Sequence, residues 1–272
     1  MSKIRKAAVS GTFYPDNKDH LDQMLDHFFN KAPSLEAKPK AIIVPHAGYI
    51  YSGQVAASAY KPLAKIKDSI KRVILIGPSH HSSFDGFALP ASEYFETPLG
   101  KVKIDQDIIK SLKTDINICI SDKIHKDEHS LEVHIPFLQK IFNDSIKITP
   151  ILVGNCNIDQ SSEIIEKLWG NDETLIIIST DLSHYHPYEE AYVTDAKTCK
   201  NIEKLEISEL DTEKLCGFLP VCGLMQVAKK KKLDINIIDF CNSGDIIIDN
   251  KNVEQDDNGV VGYGAFYCAT KE

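Results

Sequence analysis

The fold is decided by the stretch Arg72-Val-Ile-Leu-Ile-Gly-Pro-Ser-His-His81, an apolar run that stops at a Gly-Pro pair and is followed by two histidines. Branched aliphatic residues bounded by Gly and Pro, in a run too short for a typical helix, are typical of a fully buried β-strand. The stretch therefore predicts a strand with His80 and His81 just beyond its carboxyl end.

Two further stretches have the same design. Lys40-Ala-Ile-Ile-Val44 continues into Pro45-His46, and Thr174-Leu-Ile-Ile-Ile178 continues into Ser179-Thr-Asp-Leu-Ser-His184. Strands buried on both faces are typical of parallel sheets, and open α/β sheets bind ligands outside the carboxyl ends of their strands. We therefore expect the three strands to lie parallel and to bring their histidines to one edge of the sheet.

The rest of the chain alternates helical and strand patterns. Helices are predicted over residues 16–31, 54–64, 105–112, 128–142 with a kink or a restart at Pro136, 160–169, 187–202, 207–216 and 222–232. Strands are predicted over 146–153, 235–240 and 260–268, with short strands and turns over 82–103 and a polar hairpin over 249–258. Pro150 favours an edge or bulged position for its strand. The alternation predicts a three-layer α/β/α fold with a mixed, mostly parallel central sheet, as a single domain over residues 1–272.

Composition narrows the function classes. The chain has 272 residues, a net charge of −8 and a pI near 5.7. Nucleic acids and anionic membranes are bound through an excess of Lys and Arg, so neither is expected as an obligate partner. The first residues lack the apolar core of a signal peptide and no apolar run reaches membrane-spanning length, which predicts a cytoplasmic protein. The seven cysteines include no Cys-x-x-Cys pair and are expected to be reduced and mostly buried.

A shared polar site is predicted where the three strands end. His46, His80 and His184 each follow a buried strand, and Asp181 lies three residues before His184. Neutral imidazoles with one carboxylate suit Fe(II), Mn, Zn or Cu, and two His with one carboxylate are the pattern of non-haem iron sites. Asp181 is then either a ligand or the group that orients a liganding imidazole. His184, if it is not a ligand, is placed to act as a general base.

A second pair of candidates lies further along the chain. His129 and Glu132 have the i, i+3 spacing that places two side chains on one face of a helix, either as in metal-binding helices or as a local surface pair. His81 either lines the pocket or faces away from its neighbour.

Three other residues are candidates for the pocket lining. Tyr49 and Tyr51 lie in a glycine-flanked loop beside His46, where they either hydrogen-bond a substrate or serve as packing aromatics. Cys222 precedes Gly223 at a predicted helix start, a position that lowers the pKa of a thiol. The alternative for Cys222 is a buried thiol in the core. The sequence contains no Gly-x-Ser-x-Gly, Walker or Gly-x-Gly-x-x-Gly motif, so a serine hydrolase, a P-loop NTPase and a standard Rossmann dehydrogenase have no support.

An ordered set of motifs runs through nearly the whole chain. They are Ala8-Val-Ser-Gly-Thr-Phe-Tyr-Pro15, Pro45-His-Ala-Gly-Tyr49, Gly77-Pro-Ser-His-His81, Thr97-Pro-Leu-Gly100, Glu128-His-Ser-Leu-Glu132 with Pro136-Phe137, Ser179-Thr-Asp-Leu-Ser-His184, Cys222-Gly223 and Asn242-Ser-Gly-Asp245. With these motifs the chain resembles the Memo family, known in prokaryotes as AmmeMemoRadiSam system protein B. The fold of that family is similar to the fold of class III extradiol dioxygenases, which use non-haem Fe(II). The resemblance implies this fold and a bound metal ion, with Fe(II) first and copper or zinc as alternatives.

The resemblance also implies roles for individual residues. His46 and His80 correspond to metal ligands, with Asp181 and His184 beside the metal. Eukaryotic members have a cysteine ligand at a position that corresponds to about Ile246 here. The third ligand is then one of the following, in order of preference: Asp181, Asp245, Cys241.

The first functional hypothesis is a Memo-family metalloprotein that acts as a non-haem iron or copper dependent oxidoreductase, with His184, Asp181 and His129 as its catalytic residues. The second is a non-catalytic protein that uses the same pocket to hold a peptide, a metabolite or a metal. A zinc-dependent hydrolase is the third. The expected partner is a small molecule or a peptide, and the family name adds the AmmeMemoRadiSam companion proteins as candidates.

Overall fold

The computed structural model describes residues 2–113, 117–143, 145–249 and 259–270. Within these ranges the strands, in chain order, are β1 (Ile4–Arg5), β2 (Ala41–Val44), β3 (Arg72–Pro78), β4 (Phe87–Leu89), β5 (Tyr94–Thr97), β6 (Gly100–Ile104), β7 (Ile118–Ile120), β8 (Lys147–Val153), β9 (Thr174–Ser179), β10 (His184–His186), β11 (Leu233–Asn242) and β12 (Val260–Thr270).

The strands form one mixed sheet. Its order is β1-β5-β6-β8-β3-β9-β2-β12-β10, with β11 paired to β12, β4 paired to β8, and β7 paired to β4. The central strands β8, β3, β9 and β2 run parallel to one another, whereas β12 pairs antiparallel with β2, β10 and β11. The predicted α/β fold with a mixed, mostly parallel sheet is confirmed.

The three stretches that decided the prediction form the centre of this sheet. Every residue of β2 and β9 is buried, as are the five interior residues of β3. Because successive side chains of a strand point to opposite faces, burial at every position requires that helices cover both faces. The sheet is therefore the middle of three layers.

The helices are α1 (Lys18–Lys31), α2 (Tyr49–Tyr60), α3 (Gln106–Leu112), α4 (Asp122–His125), α5 (Ile135–Phe142), α6 (Ile158–Lys167), α7 (Tyr188–Glu203), α8 (Phe218–Lys231) and α9 (Ser243–Asp249). Helices α1, α2 and α5 pack together, and α6 packs against α8, which lies on β3 and β9. Local caps fix the helix starts. The Asn17 side chain accepts hydrogen bonds from the first turn of α1, and Asn157 and Gln160 form a reciprocal capping box on α6.

Two helices, α2 and α8, begin a full turn or more before the start that the sequence predicts. Helix α2 starts at Tyr49 and includes Gly53, the residue before the predicted start at Gln54. A Cβ at Gly53 would lie 2.4 Å from Cε2 of Phe28, so this glycine permits close packing against α1 and does not mark a turn. Helix α8 starts at Phe218, which places Cys222 inside the helix and away from its first residues.

The helix predicted over 207–216 is wrong. The segment contains only a 3₁₀ turn, Ile207–Glu209, and the backbone at Leu210 is extended. Beyond it, the Asp211 side chain accepts hydrogen bonds from the main-chain nitrogens of Glu213 and Lys214, at 3.1 Å each. These are the bonds of an N-cap, so a new turn begins at Asp211 and interrupts a helix that would run through residues 207–216.

Two prolines, Pro136 and Pro150, bear on predictions made from the sequence. Pro136 lies in the first turn of α5, after a 3₁₀ turn at Glu132–His134, so it marks a restart, and residues 128–131 are not helical. Strand β8 has neither the edge nor the bulged position that Pro150 favoured, because it pairs with β3 in unbroken register and has partners on its other side as well. On its other side β6 pairs with residues 147–148 and β4 with residues 152–153, so Pro150 falls between the two partners.

Two other predictions concern the hairpin and the membrane. Residues 250–258 of the predicted hairpin lie outside the described residues, and Asp249 ends α9. In the described ranges, none of the helices combines the length and the apolar character needed to cross a membrane.

Candidate metal site

His46 lies just beyond the carboxyl end of β2 and is 1% exposed. Its main-chain nitrogen donates to Oδ1 of Asp181 at 2.7 Å, which ties the end of β2 to the end of β9. Its ring Nδ1 lies 2.6 Å from Oγ of Ser179. The Ser179 hydroxyl donates its single hydrogen to the carbonyl oxygen of Ser130 at 2.6 Å, so Nδ1 of His46 is the donor in the other bond. His46 thus keeps its proton on Nδ1 and has a lone pair on Nε2.

Glu128 orients His80 at the end of β3. Its carboxylate accepts from the main-chain nitrogen of His80 at 2.6 Å and from Nδ1 at 2.9 Å, and also from the nitrogens of His129 and Ser130 at 3.0 Å each. Burial raises the pKa of Glu128, but the hydrogen bonds from His80 and Ser130 outweigh it and lower this pKa to about 2. The ionised carboxylate can only accept, so Nδ1 of His80 is protonated and Nε2 is the ring nitrogen left to face a metal.

His129 completes a cluster of three imidazoles. Its ring stacks on His80, with centroids 4.5 Å apart, and lies 5.6 Å from the ring of His46. One ligand atom from each of His46, His80 and His129 lies within 4.8 Å of the other two. Burial lowers the pKa of His46 well below its usual range and that of His129 to about 4, and the neighbouring imidazoles act in the same direction. Both are neutral at pH 7, and neutral imidazole is the form that binds a metal, so the cluster could hold one.

Asp181 borders this cluster without joining it. Its Oδ2 lies 3.9 Å from Nε2 of His46. Burial raises the pKa of Asp181 to about 7, against the hydrogen bonds from the main-chain nitrogens of His46 and Ala47. The carboxyl group is therefore divided between its protonated and ionised forms near neutral pH.

Cys216 is a neighbour of His46 that the sequence did not suggest. Its sulfur lies 3.3 Å from Nε2 of His46 and accepts a hydrogen bond from the main-chain nitrogen of Asp181 at 3.1 Å. Burial, with the charge of Asp181, raises the pKa of this thiol to about 12. Cys216 precedes Gly217 at the start of α8, the arrangement that the sequence suggested for Cys222 and Gly223 six residues later.

His184 and His81 lie around the three imidazoles. His184 begins β10 and is half-buried; burial and the nearby His80 lower its pKa, whereas a bond to the carbonyl of Leu182 raises it. His81 is exposed, with its ring 5.8 Å from that of His129. His81, Glu128 and His129 form a second group of ligand atoms that could hold a metal.

Glu132 lies outside the cluster. It is fully buried and forms an ion pair with Arg5, and it accepts hydrogen bonds from Tyr14 Oη and from the main-chain nitrogens of Ala8 and Val9. The i, i+3 argument that paired it with His129 does not apply, because the chain is not helical at His129. The geometry makes Glu132 the anchor of the N-terminal segment.

Tyr49 and Cys222 belong to the core. The hydroxyl of Tyr49 donates to the carbonyl of Val133 at 2.6 Å, and its ring packs against Phe137. This is the packing role that the sequence left open for it. Cys222 is 0% exposed, and burial raises the pKa of its thiol to about 12. Tyr51 is half-buried and near Tyr263. The pKa of Tyr263 is raised by burial first, then by Asp181 and Cys241, and Tyr51 adds a smaller effect in the same direction.

The remaining ligand candidates have other partners. Asp245 accepts from the hydroxyl of Tyr188 at 2.5 Å and from the main-chain nitrogen of Asn242 at 2.9 Å. Cys241 is half-buried, and burial, with Asp245 and Asp239, raises its pKa to about 12. Among the described residues, neither belongs to a group of ligand atoms close enough to share a metal ion.

Comparison with known proteins gives a consistent family. A family model described as Memo-like protein matches residues 5–267 of the chain. A MEMO1 family protein of Aquifex aeolicus is 34% identical over 261 residues, covering 92% of this chain and 96% of that protein. A MEMO1 family protein of Thermoplasma volcanium is 32% identical over 270 residues, covering 96% and 97%.

Similarity to a solved structure concerns the fold alone. An uncharacterized protein of Escherichia coli K12 superposes with a TM-score of 0.53 at 13% identity, covering 83% of this chain and 98% of that one. The match supports the α/β architecture and carries no information on activity.

Proposed function

Since this chain belongs to the Memo family, we propose that it is a metalloprotein whose histidine cluster holds non-haem iron for an oxidoreductase reaction related to that of extradiol dioxygenases. The observation that carries the proposal is the convergence of His46, His80 and His129, whose ligand atoms lie within 4.8 Å of one another. The hydrogen bonds of Ser179 and Glu128 place a proton on Nδ1 of His46 and of His80, so Nε2 is the nitrogen that each ring can offer to a metal.

The donor set favours a first-row transition metal. Imidazole nitrogens suit iron, copper and zinc, and Asp181 adds a carboxylate 3.9 Å from Nε2 of His46. Two histidines with a carboxylate, or three histidines, leave positions open on the ion. Iron(II), when bound, would supply the open positions at which a phenolic substrate and dioxygen meet, and the substrate would supply the electrons that reduce dioxygen.

His184 is proposed to move the proton. A hydrogen bond to the carbonyl of Leu182 engages one side of its ring, and its lowered pKa keeps the ring neutral at pH 7. The free ring nitrogen can then accept a proton from a phenolic hydroxyl and return it later. Asp181 holds the loop after β2 in place through the main-chain nitrogen of His46.

Oxygen uptake tests the proposal. Protein purified without oxygen or chelator is loaded with Fe(II) and assayed against a panel of catechols and related phenols, beside metal-free protein. We expect uptake that requires iron and that falls about a hundredfold or more in His184→Gln, with iron content unchanged. His186→Gln is the matched control, because His186 lies two residues away and pairs with Glu190. Equal uptake by loaded and metal-free protein across the panel would overturn the enzymatic function.

A second candidate function rests on Cys216. A sulfur atom 3.3 Å from Nε2 of His46 is a soft donor, and soft donors select Cu(I). This contact favours a non-catalytic protein that holds copper in transit. Stoichiometric copper in the anaerobically purified protein, without oxygen uptake on any phenol, is the result that this function predicts.

A further inference from the structure

A cavity of about 730 Å³ lies at the end of the sheet opposite the histidine cluster. Its lining includes Lys40, directly before β2, and Thr174, the first residue of β9. His46 and Asp181 follow the carboxyl ends of these two strands, which run parallel. The length of the strands, about 3.3 Å per residue, therefore separates the cavity from the candidate metal site.

The cavity has the opposite charge to the protein. Its lining includes four lysines and two aspartates: Lys38, Lys40, Lys65, Lys231, Asp68 and Asp172. The chain as a whole has a net charge of −8. A concave surface that is richer in one sign of charge concentrates small ions of the other sign. Because Lys65 is paired with Glu36, the lining cations open to a ligand are Lys38, Lys40 and Lys231, and the last two also lie close to Trp169.

Both of these ammonium groups lie against Trp169. Nζ of Lys40 is 5.5 Å and Nζ of Lys231 is 5.3 Å from the centroid of its ring. Two cations near one ring repel each other, and an anion between them removes that cost. Burial lowers the pKa of Lys40 to about 8; Asp172 acts against it and Lys231 acts with it.

The main chain holds Lys40 in place. Its ammonium group donates to the carbonyl oxygens of Asn171 at 2.5 Å and Thr174 at 2.6 Å. An ammonium group has three N–H donors, so these two bonds leave one for a ligand. Lys40 is therefore a positioned donor, whereas Lys231 is exposed and can move to meet the ligand.

We propose that this cavity binds a small organic phosphate, with the phosphate group between Lys40 and Lys231 and the less polar part of the molecule against Trp169 and Ile70. Lysine binds phosphate as a compact charge, and a phosphate has enough acceptor oxygens for both ammonium groups. The volume lies within the range of small-molecule sites, and Ile66, Ile70 and Leu233 provide an apolar wall.

The fluorescence of Trp169 reports binding directly, because it is the one tryptophan of the chain. Metal-free full-length protein is titrated at low salt with pyrophosphate, ADP and succinate. We expect a saturable change with pyrophosphate and ADP that weakens as salt is added, and a weaker response to succinate. Lys231→Gln should lower the affinity for pyrophosphate and for ADP about tenfold or more, since it removes a charge-assisted hydrogen bond.

Two control variants complete the test. Lys230→Gln alters the neighbouring lysine, which pairs with Glu166 and does not line the cavity, and should bind within about twofold of wild type. His46→Ala should bind unchanged, because the cavity is remote from the cluster. The proposal is overturned by no saturable change with either phosphate, by succinate binding as tightly as pyrophosphate, by equal losses in the two lysine variants, or by loss of binding in His46→Ala.

Discussion

The Glu128 carboxylate accepts two hydrogen bonds from His80, one from its main-chain nitrogen at 2.6 Å and one from its Nδ1 at 2.9 Å. The carboxylate is 2% exposed and ionised, so it fixes both the tautomer and the orientation of the ring. A metal bound by His80 therefore depends on a residue outside the three-histidine cluster, whose Oε1 also lies 3.4 Å from Nδ1 of His129.

We predict that Glu128→Gln lowers metal affinity about 10- to 100-fold, because the amide can no longer accept from both nitrogens of His80 with a full charge. Competition titration with a chromophoric chelator measures the affinity, and circular dichroism checks the fold. Asp127→Asn, an exposed change at the preceding residue, is the matched control. Equal affinities in the two variants would show that Glu128 does not orient the ligand.

Glu132→Gln is expected to affect stability and not the metal. The change leaves Arg5 buried without its counter-charge and should cost about 3–5 kcal/mol in the free energy of unfolding. Urea denaturation measures it. The surface pair of Lys6 and Glu96 provides the control, since Glu96→Gln should cost about 1 kcal/mol or less. A folded Glu132→Gln protein that has lost its metal would place Glu132 in the site after all.

The pH dependence of stability should include a contribution from His125. Its ring is 2% exposed, and burial lowers its pKa from 6.5 to about 4. The unfolded chain therefore takes up a proton as the pH falls below 6.5, and the folded protein does not until about pH 4. Unfolding is favoured over that interval by up to roughly 3 kcal/mol.

The matched variants are His125→Gln and His20→Gln, the latter at an exposed position on α1. Between pH 6.5 and 4, denaturation of metal-free protein should show a steeper loss of stability in wild type and His20→Gln than in His125→Gln. Parallel curves for all three would contradict the assignment.

Thiol reactivity should be low at Cys216 and Cys222. Burial raises both pKa values to about 12, which leaves a very small thiolate fraction at pH 8. We expect alkylation by iodoacetamide, followed site by site by mass spectrometry, to be about a hundredfold or more slower at both residues in folded protein than in guanidinium. Rapid native labelling of Cys216 would indicate an activated thiol beside His46.

The sequence predicts the central strands of the fold because a strand that is buried on both faces is recognisable from its own residues. Strands buried on both faces need continuous apolar runs, and Arg72–Pro78 and Thr174–Ser179 have them. The failure over 207–216 has a local cause as well, since Asp211 bonds to the following backbone nitrogens as an N-cap does, which interrupts a helix through this segment. The spacing of apolar residues alone does not reveal such side-chain hydrogen bonds.

The sequence predicts the site residues that follow strand ends, and it misses the site residues that lie in loops. The parallel order of β2, β3 and β9 brings His46, His80 and Asp181 to one edge. Glu128 and Cys216 reach the same place through loops that have no periodic pattern, so their contacts with His80 and His46 are not visible in the sequence. Their tertiary contacts depend on how those loops return to the sheet.

The most direct test of the three-histidine site is metal content, measured by mass spectrometry on protein purified without oxygen or chelator. We predict near-stoichiometric metal in wild type and in His81→Ala, and its loss in His46→Ala, His80→Ala and His129→Ala, all of which should remain folded. Absence of metal in wild type even after anaerobic loading with Fe(II) and Cu(I), or retention of full metal content in His129→Ala, would contradict the account.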